Sequence, residues 1–214
     1  MILSNHNPLK EIQRNPIVAV IDLETGSLRN KAHIFTAGMV IGNILTGEIF
    51  SEHYYRVASD GQEGRISDSE TVTDFWGDLN KVSREARREI FDLELDRIPL
   101  EELLLRLNED ICGVVEKLDI KNLHVMGNGS EFDNAIILDV YKELGIKPAW
   151  PHGNNQSLRT LVWMGRLLLG IDPKYQNEFI GIRHHALDDA RDEFNYSTAI
   201  VQKFKEALEG AGKE

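Results

Sequence analysis

The chain has 214 residues, of which 42% are hydrophobic and 28% charged, a balance that is typical of a globular protein and excludes a disordered one. Its 35 acidic and 24 basic residues leave a net charge of −11, which argues against a histone-type coat on DNA and against binding to an anionic membrane surface, because both depend on excess lysine and arginine. The single cysteine, Cys112, excludes a disulfide framework and a multi-cysteine zinc site.

The sequence contains neither a signal-peptide pattern nor a membrane-spanning run. The first ten residues, MILSNHNPLK, lack an apolar stretch of the required length, and the longest apolar stretch, residues 161–170, is short and includes Arg166. We therefore expect a cytoplasmic protein with one domain over residues 16–209, an N-terminal extension over 1–15 and a tail over 210–214.

Strand patterns dominate the first quarter of the chain. Residues 17–21, IVAVI, form a β-rich apolar run that predicts a buried strand. Strand-like stretches at 34–41 and 48–57, joined by a turn at 42–47, complete a predicted three-stranded meander. The polar, glycine-containing residues 58–69 predict a loop.

Helix signals follow from residue 70. Thr71 and Asp74 have the spacing of a capping box, Ser83 is a candidate N-cap for a second short helix, and Pro99 begins a third, longer one. After these helices the pattern predicts, in order, a strand at 122–126, a glycine-rich turn, a helix to about 144, a loop at 145–156, a helix at 157–169, an irregular stretch at 171–184 and a last helix at 185–208. Trp163, in an apolar helix, is predicted to be a core residue. The element order predicts one α/β domain.

Two carboxylates stand at the end of the first predicted strand. Asp22 and Glu24 are two residues apart, so their side chains point to the same face of the strand. Neighbouring carboxylates repel each other unless a cation or a proton lies between them. A solvated strand end is the structural alternative, because a D-x-E pair is common in an acidic chain.

Further acids begin two of the predicted helices. Asp133 follows the turn after the fourth strand, where an acid also complements the helix dipole. In the segment HHALDDARDE, residues 184–193, five helical positions rotate a side chain by about 500°, so His184 and Asp189 converge only if His184 lies on the preceding loop. The acids of this segment cannot all face one site, and His185 is interpreted as hydrogen-bonded or solvated.

Taken together, these acids and one loop histidine predict a site for hard divalent cations. Carboxylate oxygens suit Mg²⁺ or Mn²⁺, whereas Zn²⁺ favours more histidine or cysteine. Two such ions support phosphodiester hydrolysis, and a histidine that titrates near neutrality is suited to accept the proton of the attacking water.

Three segments in register resemble the exonuclease motifs of the DEDDh 3′–5′ exonucleases. They are IDLETG at 21–26, GNGSEFDNAIIL at 127–138 and HHALDDAR at 184–191. The stretches SETVTDFW at 69–76 and SREARREI at 83–90 are similar to the corresponding region of the phage exodeoxyribonuclease A group and its bacterial exoribonuclease relatives.

This resemblance implies a ribonuclease-H-like α/β fold with a five-stranded mixed sheet flanked by helices. It also implies that four acids hold two Mg²⁺ or Mn²⁺ ions and that one histidine is the general base. The family pattern selects the acid five residues after the histidine. The implied residues are Asp22, Glu24, Asp133 and Asp189 as ligands, with His184 as the base.

The resemblance further implies how the terminal nucleotide is held. The backbone around Leu23, Thr25 and Gly26 would grip it, and Glu24 would touch its 3′ hydroxyl. Further substrate-contact candidates are Phe132, Trp76, whose ring could stack on a base, and Arg65, which could bind phosphate.

The predicted activity is hydrolysis of single-stranded nucleic acid from its 3′ end, with RNA favoured over DNA and nucleoside 5′-monophosphates as products. A homodimer is common among such relatives, although no sequence feature supplies an interface. Two alternatives stay open: a nuclease-like binding module, whose signature would be the loss of an acid or of the histidine, and a phosphohydrolase of free nucleotides. The acidity of the chain predicts weak, short-footprint binding at strand ends.

Overall fold

A five-stranded mixed sheet forms the centre of the computed structural model, which describes residues 15–129 and 131–211. Its strands are Ile17–Thr25 (β1), Ile34–Asn43 (β2), Glu48–Arg56 (β3), His124–Gly127 (β4) and Asn155–Ser157 (β5). They lie in the order β3-β2-β1-β4-β5; β1, β2 and β3 are antiparallel neighbours, and β4 and β5 continue the sheet in parallel to β1.

Helices cover both faces of this sheet, which confirms the predicted α/β fold class. Their bounds are Arg84–Phe91 (α1), Leu100–Lys117 (α2), Asp133–Glu143 (α3), Leu158–Met164 (α4), Pro173–Gln176 (α5) and Ala186–Ala211 (α6). π-helical turns at Glu70–Phe75 and Gly165–Leu169 and a 3₁₀ turn at His152–Asn154 complete the elements. No helix in the described part of the chain is long and apolar enough to cross a membrane.

The central strand β1 is buried on both faces, which explains its continuous apolar sequence. Ala19 shares one core cluster with Leu103 of α2, and Val20 shares another with Phe194 of α6. Alternate side chains of a strand point to opposite faces, so β1 separates the α2–α3 layer from α6. The carboxyl ends of β1 and its parallel neighbour β4 therefore meet at one edge of the sheet.

A glycine in β2 lets the start of α6 lie directly on the sheet. A Cβ atom at Gly38 would come within 2.2 Å of the Ala186 carbonyl oxygen, so only glycine permits this approach. The register places Gly38 opposite Asp22 of β1. The first turn of α6 is thereby held beside the acidic end of β1.

Several details differ from the sequence-based expectations. Strand β5 overlaps the end of the stretch predicted as a loop. The capping box predicted for Thr71 and Asp74 was wrong, because the Thr71 N–H donates to the Asp68 carboxylate at 2.8 Å. Ser83 caps α1 as predicted, by accepting the Ala86 N–H. Trp163 is 57% exposed, which corrects its assignment to the core: α4 buries Leu158 and Val162 instead, so Trp163 lies on its solvent side. Most of the expected N-terminal extension and residues 212–214 lie outside the described residues.

Candidate active site

The ends of β1 and β4 are tied together by one carboxylate. Asp133, the first residue of α3, accepts the Leu23 N–H on Oδ1 at 3.1 Å and the Asn128 N–H on Oδ2 at 3.0 Å. Its side chain is buried, and these two bonds fix it beside Asp22 and Glu24. The predicted juxtaposition of a strand-end pair with a helix-start acid is therefore present in the fold.

The loop before α6 brings the histidine to the same edge. His184 has a φ of +65° and precedes the helix, as the rotation argument predicted. Its backbone N–H donates to Asp189 Oδ2 at 2.7 Å. Ligand atoms of Glu24, His184 and Asp189 all lie within 4.8 Å of one another. Three residues separated by up to 165 positions in the chain thus converge on one small volume.

Asp188 and the other histidine of this segment face elsewhere. Asp188 accepts the Ile182 N–H at 2.9 Å and pairs with Arg191 at 2.7 Å. The His185 ring stacks on Tyr54 at 4.3 Å between centroids. Helix geometry alone could not choose between Asp188 and Asp189, and the structure brings Asp189 to the cluster.

Burial raises the pKa values of the clustered acids, and repulsion from other carboxylates adds to it at Asp22, Glu24 and Asp189. Burial is the first cause in each case; Asp133 reaches about 7 and Asp189 about 6, and the pKa values of Asp22 and Glu24 lie well above their usual range. Repulsion from Glu193 follows as a cause at Asp22, and repulsion from Asp189 follows at Glu24. Carboxylates that repel one another in a buried cavity are a donor set suited to a divalent cation.

The histidine has a complementary shift. Burial and the charge of Arg183 lower the pKa of His184, so its imidazole is neutral at pH 7 and able to accept a proton. The ring packs edge-on against Phe75 at 5.0 Å, which fixes its orientation at the cavity.

Two cavities meet at this edge. A cavity of about 320 Å³ contains the acids and His184, and one of about 860 Å³ adjoins it along Leu23, Glu24 and Phe132. Thr25 lines the larger cavity, so two of the three predicted backbone positions face it. Gly26 lies behind this wall: its N–H donates to the His33 carbonyl oxygen, and a Cβ there would collide with Ser67.

Trp76 does not present a stacking surface. The ring is 1% exposed and belongs to a core cluster with Val82, Ala86 and Ile90, so the expectation of base stacking is corrected. Its indole N–H donates to the Thr25 carbonyl oxygen at 3.0 Å. Trp76 therefore contributes to the wall of the larger cavity and supports it through Thr25.

Arg65 is likewise engaged within the protein, which corrects its assignment to phosphate binding. The side chain is 1% exposed, and its guanidinium lies 2.7 Å from Glu143 and 3.4 Å from Asp139. It also donates to the Ala32 and Asn30 carbonyl oxygens. These contacts engage the guanidinium N–H donors that a phosphate would require, and they connect the 58–69 loop to α3.

Sequence reasoning missed several residues of the smaller cavity. Glu193 stands one helical turn after Asp189, a spacing that puts both side chains on one face of α6 and could have revealed it. The cavity is also lined by polar and cationic residues for which no pattern gave a signal, namely Asn128, Arg159, Lys174, Arg183 and Tyr196.

A five-stranded mixed sheet with acids and a histidine at the ends of its central parallel strands defines a ribonuclease-H-like nuclease fold. Residues 18–201 match the family model described as the 3′–5′ exoribonuclease Rv2179c-like domain. The chain belongs to this family, and it is a 3′–5′ exonuclease. No curated protein matches the sequence.

Solved structures agree with this fold at low sequence identity. The nuclease domain of 3′hExo, a DEDDh family member bound to rAMP, has a TM-score of 0.56 at 14% identity over 89% of this chain and 94% of that one. E. coli Exonuclease I in complex with a dT13 oligonucleotide has a TM-score of 0.55 at 12% identity over 91% of this chain and 43% of that one. A full-length 3′-exonuclease has a TM-score of 0.53 at 16% identity, over 88% of this chain and 82% of that one.

Proposed function

We propose that the chain degrades single-stranded nucleic acid from its 3′ end, prefers RNA to DNA, and releases nucleoside 5′-monophosphates. The observation that carries the proposal is the convergence of Glu24, His184 and Asp189 within 4.8 Å, beside Asp22 and Asp133. The exoribonuclease description of the family supports RNA, as does the rAMP bound to 3′hExo, although the Exonuclease I complex contains a DNA oligonucleotide.

The acids would hold two Mg²⁺ or Mn²⁺ ions. The donor set fits, because it consists of buried carboxylates whose pKa values are raised by burial and by one another, and a divalent cation removes both penalties. When bound, the ions would activate water and stabilise the leaving oxygen. The proposed ligands are Asp22, Glu24, Asp133 and Asp189.

His184 would be the general base of the reaction. A neutral imidazole takes a proton from the attacking water, whose oxygen forms a bond to phosphorus while the bond from phosphorus to the 3′ oxygen of the preceding nucleotide breaks. The leaving oxygen is then protonated, and the released nucleotide keeps its 5′ phosphate. The lowered pKa of His184 supports this role, and the hydrogen bond from its backbone N–H to Asp189 holds the residue beside the cluster.

The larger cavity would hold the terminal nucleotide. Leu23 and Phe132 offer apolar surface for the base, and Thr25 offers polar groups at the same wall. Glu24 lines both cavities, a position from which its carboxylate could accept the 3′ hydroxyl. Such a contact favours a strand end over an internal site.

A time course on single-stranded RNA and DNA of one sequence, labelled at the 5′ end, tests this proposal. We expect a ladder that shortens from the 3′ end in Mg²⁺ or Mn²⁺ and is absent in EDTA and with Asp22→Ala. The polymer that is degraded faster gives the sugar preference. Folded protein that leaves both strands intact would favour a binding module, and hydrolysis of free nucleotides alone would favour a nucleotide phosphohydrolase.

A further inference from the structure

Glu193 is a fifth buried carboxylate in the smaller cavity. It follows Asp189 by four residues on α6, so the two side chains lie on one face of the helix. Glu193 is only 4% exposed, and it lines the cavity of about 320 Å³ together with Asp22 and Asp133. An acid with no task in this position would disfavour the fold, because a buried charge is costly unless it is paired.

The Glu193 carboxylate is incompletely satisfied. Its Oε2 is buried and has no hydrogen-bond partner within residues 15–129 and 131–211. The hydroxyl of Tyr196, three residues further along α6, is in the same condition and lines the same cavity. Asp188 is a useful contrast, since its carboxylate is occupied by a backbone N–H and by Arg191. Glu193 therefore retains an acceptor that faces the cavity.

The cations of the cavity do not fully neutralise Glu193: the charge of Lys174 lowers its pKa, but burial and repulsion from Asp133 are the larger causes and raise it. Lys174 lies 3.4 Å from Asn128 Oδ1 and over the Tyr196 ring, and no ion pair joins it to Glu193 in the described chain. Arg159 pairs with Glu131, and the Arg183 guanidinium lies over the Phe179 ring. The remaining charged neighbours are acids, namely Asp22, Asp133, Asp189 and Asp192.

We propose that Glu193 is a positioning residue of the cation site, an outer carboxylate whose free oxygen accepts hydrogen bonds from the hydration shell of a cation held by Asp22 and Asp133. Mg²⁺ is bound through few carboxylates and keeps several of its waters, so an acceptor beyond the direct ligands has a defined task. Such outer partners typically contribute about 10- to 100-fold to metal affinity. The inference rests on the proposed function in taking these acids as cation ligands.

Titration of the full chain with Mn²⁺, followed by the loss of the free-ion EPR signal without nucleic acid, tests the inference. We expect Glu193→Gln to weaken Mn²⁺ binding by about 10- to 100-fold. The control Asp192→Asn removes a charge from the same helix and cavity and is expected to weaken binding by less than about threefold. Equal affinity of wild type and E193Q, or an equal loss in D192N, would overturn the proposal, because the second result indicates only a general field.

A second variant separates reach from charge. Glu193→Asp keeps the charge but withdraws the oxygen by one methylene, so we expect it to bind Mn²⁺ more weakly than wild type. Wild-type affinity in E193D would contradict a positioned acceptor. In EDTA, urea unfolding is expected to show E193Q as more stable than wild type, and saturating Mn²⁺ should reverse the order. A purely structural Glu193 would instead make E193Q less stable in both conditions, which contradicts the inference.

The two proposals fail separately. Wild-type protein that binds Mn²⁺ more tightly than E193Q but leaves every strand intact would contradict the nuclease and support the role of Glu193. A nuclease whose Mn²⁺ affinity is unchanged by E193Q would support the proposed function and contradict this inference.

Discussion

The site is held rigid by one carboxylate that accepts hydrogen bonds from two backbone N–H groups, at the adjacent ends of β1 and β4. The Asp133 oxygens accept one N–H each, from Leu23 and from Asn128, so the side chain cannot rotate away from its neighbours. These bonds act against the rise of its pKa, but burial outweighs them. The fold thus keeps repelling acids together, a strain that cation binding relieves.

Asp22 is the residue whose loss we expect to remove the activity most completely. Asp22→Asn should lower kcat on a labelled oligonucleotide by at least about 10³-fold, because a cation ligand acts directly on the transition state. The same change should raise the free energy of unfolding in EDTA, since repulsion from Glu193 and Glu24 is removed. Urea unfolding and a rate measurement check both signs.

Asp188→Asn is the matched control for this variant, because the Asp188 carboxylate is engaged by Ile182 and Arg191. Its rate should stay within a few-fold of wild type once folded protein is counted. Near-wild-type turnover by Asp22→Asn would contradict the ligand assignment.

The two adjacent histidines give a second prediction. His184→Ala should lower kcat by about 10²- to 10⁴-fold, the usual contribution of a general base, and leave Mn²⁺ binding largely unchanged. His185→Ala should affect stability more than rate, since its ring stacks on Tyr54 away from the cluster. Single-turnover rates at saturating Mn²⁺ compare them. A larger rate loss in His185→Ala would show that the wrong histidine carries the chemistry.

At the scale of elements, the sequence predicts the strands and helices whose own residues carry an apolar pattern that matches their burial. The first five residues of strand β1, Ile17–Ile21, are all apolar, and the amphipathic helix α6 begins at Ala186, within one residue of its predicted start. Strand β5 has only the polar residues Asn155–Ser157, and it is a strand because β4 pairs with it. Long-range pairing leaves no local periodicity, so this strand could be expected only through the family resemblance.

The same limit applies to single side chains. Local pattern offered Trp76 and Arg65 as substrate contacts, since exposed aromatic and basic groups do bind nucleic acid. Only the tertiary structure reveals that the buried Trp76 indole N–H donates to the Thr25 carbonyl oxygen. It also reveals that the Arg65 guanidinium forms an ion pair with Glu143 of α3. Glu193, by contrast, was readable from its helical spacing to Asp189.

Arg65 supplies the prediction at this scale. Arg65→Met should lower the free energy of unfolding by about 2 kcal/mol, because hydrogen bonds to a charged group are lost and the Ala32 and Asn30 carbonyl oxygens lose their donor. The KM for an oligonucleotide should change by less than about twofold. A large rise in KM with unchanged stability would restore Arg65 as a phosphate contact.

For the molecule as a whole, the acidity of an enzyme that acts on a polyanion has a local explanation. Part of the net charge of −11 is concentrated in the buried cluster, where bound cations would offset it. Cationic side chains at the rim, Arg159, Lys174 and Arg183, face the same cavity and oppose the overall charge where a phosphate would enter. Strand ends should therefore bind better than long duplexes.

Stability should depend on pH through this cluster. The pKa values of Asp133 and Asp189 rise from 3.8 to about 7 and about 6, so the folded protein without cations binds protons that the unfolded chain has released. Their stabilising contribution is complete below about pH 4 and is lost as the pH rises through 6 to 7. The half-buried His33, His184 and His185 have lowered pKa values and act in the opposite direction, so the curve in EDTA alone mixes two effects.

The difference between unfolding in saturating Mn²⁺ and in EDTA reports on the cluster, because His33 and His185 lie outside it and contribute equally to both curves. A cation binds only the deprotonated acids, and it replaces the repulsion that grows as they ionise. We therefore expect the stabilisation by Mn²⁺ to increase by about 2 kcal/mol between pH 5 and pH 7.5, measured by urea unfolding at each pH. Asp22→Asn should show a smaller increase. A Mn²⁺ effect that is constant across this range would contradict a site built from acids with raised pKa values.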